Sequence, residues 1–159
     1  MKLFILTCLV TLMLGRCTET NIVSSAENAT SDPLTIRTGT SFGMCVGYCQ
    51  HDYVVNGTTV TLTQNGTRTQ ASSPTKTCQT TLTSADWDAL KALVNIDSFS
   101  SQPETIGCPD CADGGAEYVE LAMGDRKHRV TFSYNKTIPG SEALVDALRK
   151  RREAFPACP

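Results

Sequence analysis

Apolar and polar residues alternate along several short stretches of the chain, a pattern typical of β-strands with one buried face. The alternation predicts strands over 34–38, 51–55 and 58–63, and an edge strand over 77–82. Asn56-Gly57 separates two of these strands and favours a two-residue hairpin, because both residues take positive φ angles at little cost. The first half of the domain is therefore predicted to consist of hairpin-linked strands.

Two further strands are predicted over 116–123 and 127–134, with Gly124-Asp125 as the turn between them. Between the two groups of strands, residues 95–114 are predicted to form a long loop. The residues of the later strands that are expected to point inward are Val119, Leu121, Met123, Val130, Phe132 and Tyr134.

Two stretches repeat their apolar residues with the period of an α-helix. The first begins at Thr83 or Ser84, either of which can cap a helix, and carries Asp86 in its first turn. The second spans 141–155 and ends in the basic run 149–152, which is interpreted as a solvated helix end or, alternatively, as a contact for an acidic surface. The apolar faces are Trp87, Leu90, Leu93 and Val94 in the first helix and Leu144, Val145 and Leu148 in the second.

Together these elements predict an α+β fold, in which an antiparallel sheet of four to five strands carries two helices packed on one face. Residues 34–159 have the length of one domain of ordinary size. Residues 1–16 predict a signal peptide, because Met1-Lys2 precedes an apolar run too short to cross a bilayer permanently. Residues 17–33 are polar and poor in large apolar side chains, so they predict a flexible tether.

Cys17 directly follows the apolar run, and this position resembles the lipobox of bacterial lipoproteins, whose cysteine carries the lipid. Leu14 and Gly15 suit such a box, whereas Arg16 stands where a small residue normally precedes the cysteine. We expect lipidation of Cys17 and a membrane-anchored lipoprotein of the bacterial cell envelope. The alternative is ordinary signal cleavage, which would give a soluble secreted or periplasmic protein.

Six cysteines lie in the predicted domain, an even number that suits disulfides in an oxidising compartment. Six cysteines allow about 15 pairings, and the bonds could tie the N-terminal strands to the loop 95–114. The disulfide candidates are Cys45, Cys49, Cys78, Cys108, Cys111 and Cys158.

Two other uses of these cysteines are open. Cys108 and Cys111 enclose Pro109-Asp110 and could exchange a local disulfide, although neighbouring acidic residues would raise a thiol pKa. Zinc bound by Cys45, Cys49, Cys108 and Cys111 is the second alternative, because two close cysteine pairs can form a tetrahedral site.

The rest of the sequence offers little catalytic chemistry. It has neither a nucleophile elbow with Ser-His-Asp order nor a phosphate-binding glycine loop, so no catalytic residue and no cofactor are predicted. His51 and His128, the two histidines, are expected to be structural strand residues. The formal net charge of -2 argues against nucleic acid as a partner.

Residues 41–48 read Ser-Phe-Gly-Met-Cys-Val-Gly-Tyr and lead into the Asn56-Gly57 hairpin. The segment resembles the Cys-Phe-Gly-x-Cys-Pro-x-Tyr opening of an uncharacterised bacterial envelope domain family. Ser41 and Val46 replace that family's first cysteine and proline, so the resemblance implies that Cys49 has become the local partner of Cys45. It supports an envelope location and a fold with hairpins and a helix, and it implies no activity.

These observations favour a non-enzymatic domain with a binding or structural role. Its expected partners are the membrane, through the lipid, and an unidentified protein or other envelope component. An envelope redox or zinc protein that uses Cys108 and Cys111 is the alternative function.

Overall fold

The alternating stretches form a single sheet in the computed structural model, which describes residues 33–66, 73–155 and 158. The predicted signal peptide, Cys17 and tether residues 17–32 lie outside the described residues. Within these ranges the strands are ordered β4-β3-β2-β1-β6-β7-β5. The strands are β1 (Leu34–Ser41), β2 (Tyr48–Asn56), β3 (Thr59–Gly66), β4 (Lys76–Thr81), β5 (Thr105–Ile106), β6 (Ala116–Met123) and β7 (Arg126–Ser133), and the helices are α1 (Ser84–Ala92), α2 (Ile96–Ser100) and α3 (Glu142–Ala154).

Tight turns connect the antiparallel strands, as the sequence predicts. Asn56 pairs with Thr59, so the loop between β2 and β3 is Gly57-Thr58, one residue later than predicted. Only Gly57 of this pair has positive φ, at 58°, which places the glycine at the first central position. Met123 pairs with Arg126 across Gly124-Asp125, as predicted.

The α+β class is confirmed, but the sheet is mixed and larger than predicted, with seven strands and three helices in the described residues. The one strand that no predicted stretch covers, β5, has two residues and runs parallel to β7. The additional helix, α2, has five residues. Both lie in the stretch 95–114 that was predicted to be a loop, because elements this short show no hydrophobic period.

The core lies between one face of the sheet and the helices. Ile36 of the middle strand β1 and Leu121 of β6 are fully buried there. Leu90 of α1, Phe99 of α2 and Leu148 of α3 pack into the same cluster. The opposite face of the sheet carries polar residues, among them Thr61, Gln79 and Arg129 by strand parity.

The two ends of the sheet differ in character. At one end, Leu34, the first residue of β1, pairs with Met123. This end also carries both hairpin turns, and residue 33 enters β1 there. At the other end, Ser41 pairs with Gln50 and Ala116. The Cys45–Cys49 and Cys108–Cys111 segments adjoin this second end. The helices among the described residues are too short and too polar to cross a membrane.

Candidate functional site

Strand parity places an acidic residue on the core face of β6. Glu117 alternates with Val119 and Leu121 on that face, and only 2 % of its side chain is exposed. A buried carboxylate requires compensating charge, because its desolvation is costly. That charge comes from the last two turns of α3, where Arg149 and Arg152 reach the same carboxylate.

The three side chains form a closely bonded cluster. Arg149 Nε donates hydrogen bonds to both carboxylate oxygens of Glu117, at 3.1 Å and 3.0 Å. Arg152 Nη2 lies 2.5 Å from Glu117 Oε1, and its Nη1 donates to the hydroxyl of Thr38 on β1. Arg149 also donates to the carbonyl of Lys136. The cluster therefore joins α3 to β1 and β6 through charged hydrogen bonds.

The pKa values of the two arginines shift in opposite directions in this environment. The hydrogen bonds to Glu117 raise the pKa of Arg149. Burial lowers the pKa of Arg152, and the charge of Glu117 opposes that shift. Arg152 is the more deeply buried of the two, with 10 % of its side chain exposed against 18 % for Arg149, so its desolvation dominates.

The interpretation of residues 149–152 as a solvated helix end is wrong for three of the four residues. Arg149 and Arg152 hold the buried Glu117, and Arg151 Nη2 pairs with Asp86 of α1 at 3.0 Å. Lys150 alone of the four is exposed. The run is basic because its arginines neutralise the buried carboxylate of Glu117 and the carboxylate of Asp86 on another helix. The order of residues in the sequence does not reveal these pairs.

A mainly apolar cavity of about 350 Å³ lies on one side of Arg152. The helices do not fully cover the β2–β3 part of the core face, and the gap is bounded by side chains of β2, β3, α3 and the segment between β4 and α1. This volume is within the range of small-ligand sites, roughly 300–1,000 Å³. Its apolar wall includes Tyr53, Val60, Leu82, Leu148 and Phe155.

A smaller polar cavity of about 200 Å³ lies on the other side of Arg152. Glu117, Arg149 and His51 line it. Tyr53 and Arg152 line both cavities, so together the two spaces run beneath β1 and β2. We refer to these two neighbouring cavities together as the cleft, which is apolar on one side of Arg152 and polar on the other.

Arg151 lines the apolar cavity, and one buried nitrogen of its guanidinium has no hydrogen-bond partner among the described residues. Its Nη2 is bonded to the carboxylate and the carbonyl of Asp86. Its Nε is buried and has no hydrogen-bond partner within the described part of the chain. An unpaired buried donor is uncommon in folded proteins and calls for an explanation.

Asp86 is held as an anion beside this arginine. The Thr83 hydroxyl donates to Asp86 Oδ2 at 2.7 Å, and the Asp86 backbone N–H donates back to Thr83 at 3.1 Å. The Thr83 hydrogen bond, followed by the charge of Arg151, lowers the pKa of Asp86. The predicted cap at Thr83 is confirmed, and it holds Asp86, which lines the apolar cavity.

A second buried carboxylate, Glu120, lies on the opposite face of β6. Lys127 and Arg129 approach it to 3.3 Å and 2.9 Å, and Arg37 lies at 3.9 Å. These cations are each about half exposed. The cluster resembles the Glu117 cluster in charge but borders solvent instead of a cavity.

Tyr118 covers the middle of this open face. Its hydroxyl donates to Asp52 at 2.5 Å, and the Arg129 guanidinium lies 4.1 Å from its ring centre. Burial and the Asp52 carboxylate raise the pKa of Tyr118. The ring lies so close to Gly39 that a Cβ there would be 2.6 Å from it, so glycine is required at that position.

All six domain cysteines are paired. The bonds are Cys45–Cys49, Cys78–Cys158 and Cys108–Cys111. The Cys45–Cys49 bond is the local pairing implied by the family resemblance. The expected bonds between the N-terminal strands and the loop are absent from this pairing, because each close pair closes on itself.

Hydrogen bonding still brings the two local disulfide segments together. The backbone N–H of Gly43 donates to Asp110 Oδ1 at 3.3 Å, and the rings of Phe42 and Tyr134 meet edge to face with centres 4.8 Å apart. In this pairing the sulfurs of the zinc alternative are bonded to each other and are not thiolate ligands. Across the described residues, no group of three or more His, Cys, Asp or Glu side chains is placed to hold a metal.

Both histidines lie on the predicted strand faces. His51 Nε2 is 3.2 Å from Gln64 Nε2, and burial lowers its pKa. His128 Nε2 is 2.9 Å from the carbonyl of Gln102, and its ring meets Phe99 edge to face. The structure thus gives both residues packing and hydrogen-bonding partners.

Comparison of the chain with protein-family models gives no match, and comparison with curated proteins gives none either.

The residues of the cleft were missed at the sequence level for a physical reason. Strand parity does place Glu117 inward beside Val119, and an inward carboxylate is the signal that could have revealed the cluster. Its partners lie 32 and 35 positions away on α3. Only the packing of that helix across β1 and β6 brings them together.

Proposed function

We propose that this protein is a lipid-anchored domain of the bacterial cell envelope that binds a ligand in the cleft beneath β1 and β2. The observation that carries the proposal is the cleft itself, in which an apolar cavity adjoins a buried cluster of arginines. Apolar walls with a few convergent polar groups are the usual composition of a small-ligand site. The role proposed is binding, without a chemical step.

The disulfides support a domain adapted to an oxidising compartment. Cys78 on the edge strand β4 is bonded to Cys158, 80 positions away. This bond ties the C-terminal tail to the strand that borders the apolar cavity through Thr80 and Thr81. The bond therefore restrains the strand that borders the cleft, which favours a preorganised binding site.

Membrane anchoring is tested by fractionation of the full-length protein and its Cys17→Ala variant. We expect the parent protein in the membrane fraction and the variant in the soluble fraction, because the lipid attaches to the Cys17 sulfur. A matched Cys8→Ala variant, altered within the predicted signal peptide, should stay with the membrane. If Cys17→Ala remains membrane-bound, anchoring through this residue is wrong.

A second candidate function rests on the exposure of one disulfide. Cys108 and Cys111 are both exposed, so their bond is accessible to an exchanging thiol. The alternative is therefore an envelope thiol-redox protein. Insulin reduction assayed with the parent and with Cys108→Ser/Cys111→Ser decides between the two functions: loss of activity in the variant supports redox, and equal rates exclude it.

A further inference from the structure

The two edges of the sheet differ in how much backbone they leave open. Among the described strands, β5 forms one edge with two residues, and β4 forms the other with six. An exposed edge strand is a place where another strand can add to a sheet, because its outer row of N–H and C=O groups is unpaired. Within the described ranges, β4 pairs with β3 on its inner side and with no strand on its outer side.

The phase of the β3–β4 ladder decides which residues face outward. The backbone N–H of Leu82 donates to the carbonyl of Thr58 at 2.7 Å, which makes these two residues a hydrogen-bonded pair. Such pairs alternate along an antiparallel ladder, so Thr80 and Cys78 also bond inward to β3. The alternate residues of β4 direct their backbone N–H and C=O groups away from β3, and all of them are exposed: Thr77, Gln79 and Thr81.

This outer edge is complementary to a second copy of itself. Gln79 lies midway between Thr77 and Thr81, so a two-fold axis at Gln79 brings Thr77 of one protomer opposite Thr81 of its partner. Each of these facing pairs would exchange both of its N–H···O bonds. The facing side chains are uncharged, and Lys76 would face Leu82 instead of a second lysine, so no like charges oppose the pairing.

We propose that the protein forms a two-fold symmetric dimer through β4, in which the sheets of the two protomers join into one. A second copy fits this edge because a single register pairs all its outward residues without setting like charges against each other. The other edge strand, β5, is too short to continue the sheet, so the assembly closes at two copies. This inference goes beyond the proposed function, because the pairing needs neither the cleft nor the lipid.

Analytical ultracentrifugation of the purified protein in density-matched detergent tests the dimer over a range of concentrations. We expect the sedimenting protein mass to rise from one chain to two and no further. Gln79→Lys should weaken the association about fivefold, because it sets like charges opposite each other at the two-fold axis. Thr105→Lys adds the same charge at an exposed position of β5 and should leave the association unchanged.

A mixture of two variants identifies the register. Gln79→Glu should weaken the dimer as Gln79→Lys does, whereas an equimolar mixture of the two variants should associate more tightly than either alone. The reason is that opposite charges then face each other at the axis. A mixture that associates no better than the separate variants contradicts pairing at Gln79, and an edge that binds an unrelated peptide would give that result.

Amide hydrogen exchange of the parent protein locates the contact. The outward N–H groups of Thr77, Gln79 and Thr81 should exchange more slowly as the protein concentration rises. The N–H groups of Cys78 and Thr80 bond to β3 with or without a partner, so their exchange should not depend on concentration. A protein that sediments as one chain throughout, or exchange at Gln79 that is independent of concentration, would overturn the proposal.

Discussion

At the scale of single residues, Glu117 and Glu120 show how the exposure of the neighbouring cations sets the contribution of a buried carboxylate to stability. Both carboxylates lie on β6 and both are at most 4 % exposed. The partners of Glu117 are largely buried, whereas those of Glu120 are about half exposed and can be rehydrated. The same substitution at the two positions should therefore have unequal effects.

Glu117→Gln is predicted to lower the free energy of unfolding by about 3 kcal/mol or more, because it removes the carboxylate charge that the two largely buried guanidinium groups share. Glu120→Gln should cost only about 1 kcal/mol, since its partners reach water. Urea unfolding of the two variants measures the difference. Equal losses would show that the exposure of the partners does not govern the effect.

The ionisation of Asp86 provides a pH-dependent test. Its native pKa lies below the unfolded value of 3.8, so the ionised form favours the folded state. The contribution is complete above that value and is lost as the pH falls through the lowered native pKa. Carbon NMR titration should show that Thr83→Ala raises the pKa of Asp86, while Thr83→Ser preserves the low value; an unchanged pKa in Thr83→Ala would refute the Thr83 contribution.

At the scale of elements, the disulfides differ in how much chain they constrain. The Cys78–Cys158 bond has a sequence separation of 80, and the Cys45–Cys49 bond has a separation of 4. A long closed loop restricts the unfolded chain more than a short one does. The Cys78–Cys158 bond, which joins the edge strand β4 to the C-terminal tail, should therefore stabilise the fold more than the Cys45–Cys49 bond does.

Removing the long-range bond by Cys78→Ser/Cys158→Ser is predicted to cost about 4.5 kcal/mol by the loop-entropy relation. The matched Cys45→Ser/Cys49→Ser variant should lose only about 2 kcal/mol. Denaturant unfolding under non-reducing conditions gives both values. A larger loss from the local bond would mean that native contacts, and not loop length, decide the stability.

Sequence patterns predict elements well where a period is long enough to be visible. Six of the seven strands overlap predicted stretches, and α1 and α3 begin within one residue of their predicted starts. β5 and α2 were missed because two and five residues are too few to show a period. The Cys78–Cys158 bond and the Glu117 cluster depend on contacts distant in sequence, which no local pattern contains.

At the scale of the whole molecule, β1 occupies the centre of the sheet. It pairs with β2 at seven positions and with β6 at eight. The predicted tether leads directly into this strand at residue 33, at the end opposite the two local disulfide segments. The exposed Met44 and Val46 beside Cys45 therefore lie at the end of the sheet away from the tether.

This central position determines how the domain would respond to mechanical load. A pull on the N-terminal end of β1 acts on two hydrogen-bonded ladders together, whereas a pull on β4 acts on an edge strand that has a ladder on one side only. In optical-tweezers experiments, handles at residues 33 and 140 should give a higher unfolding force than handles at 76 and 140. A lower unfolding force with the handle at residue 33 would show that the two ladders of β1 do not resist the pull together. The strand that carries the load also lies over the cleft, so the cleft should keep its shape until β1 itself yields.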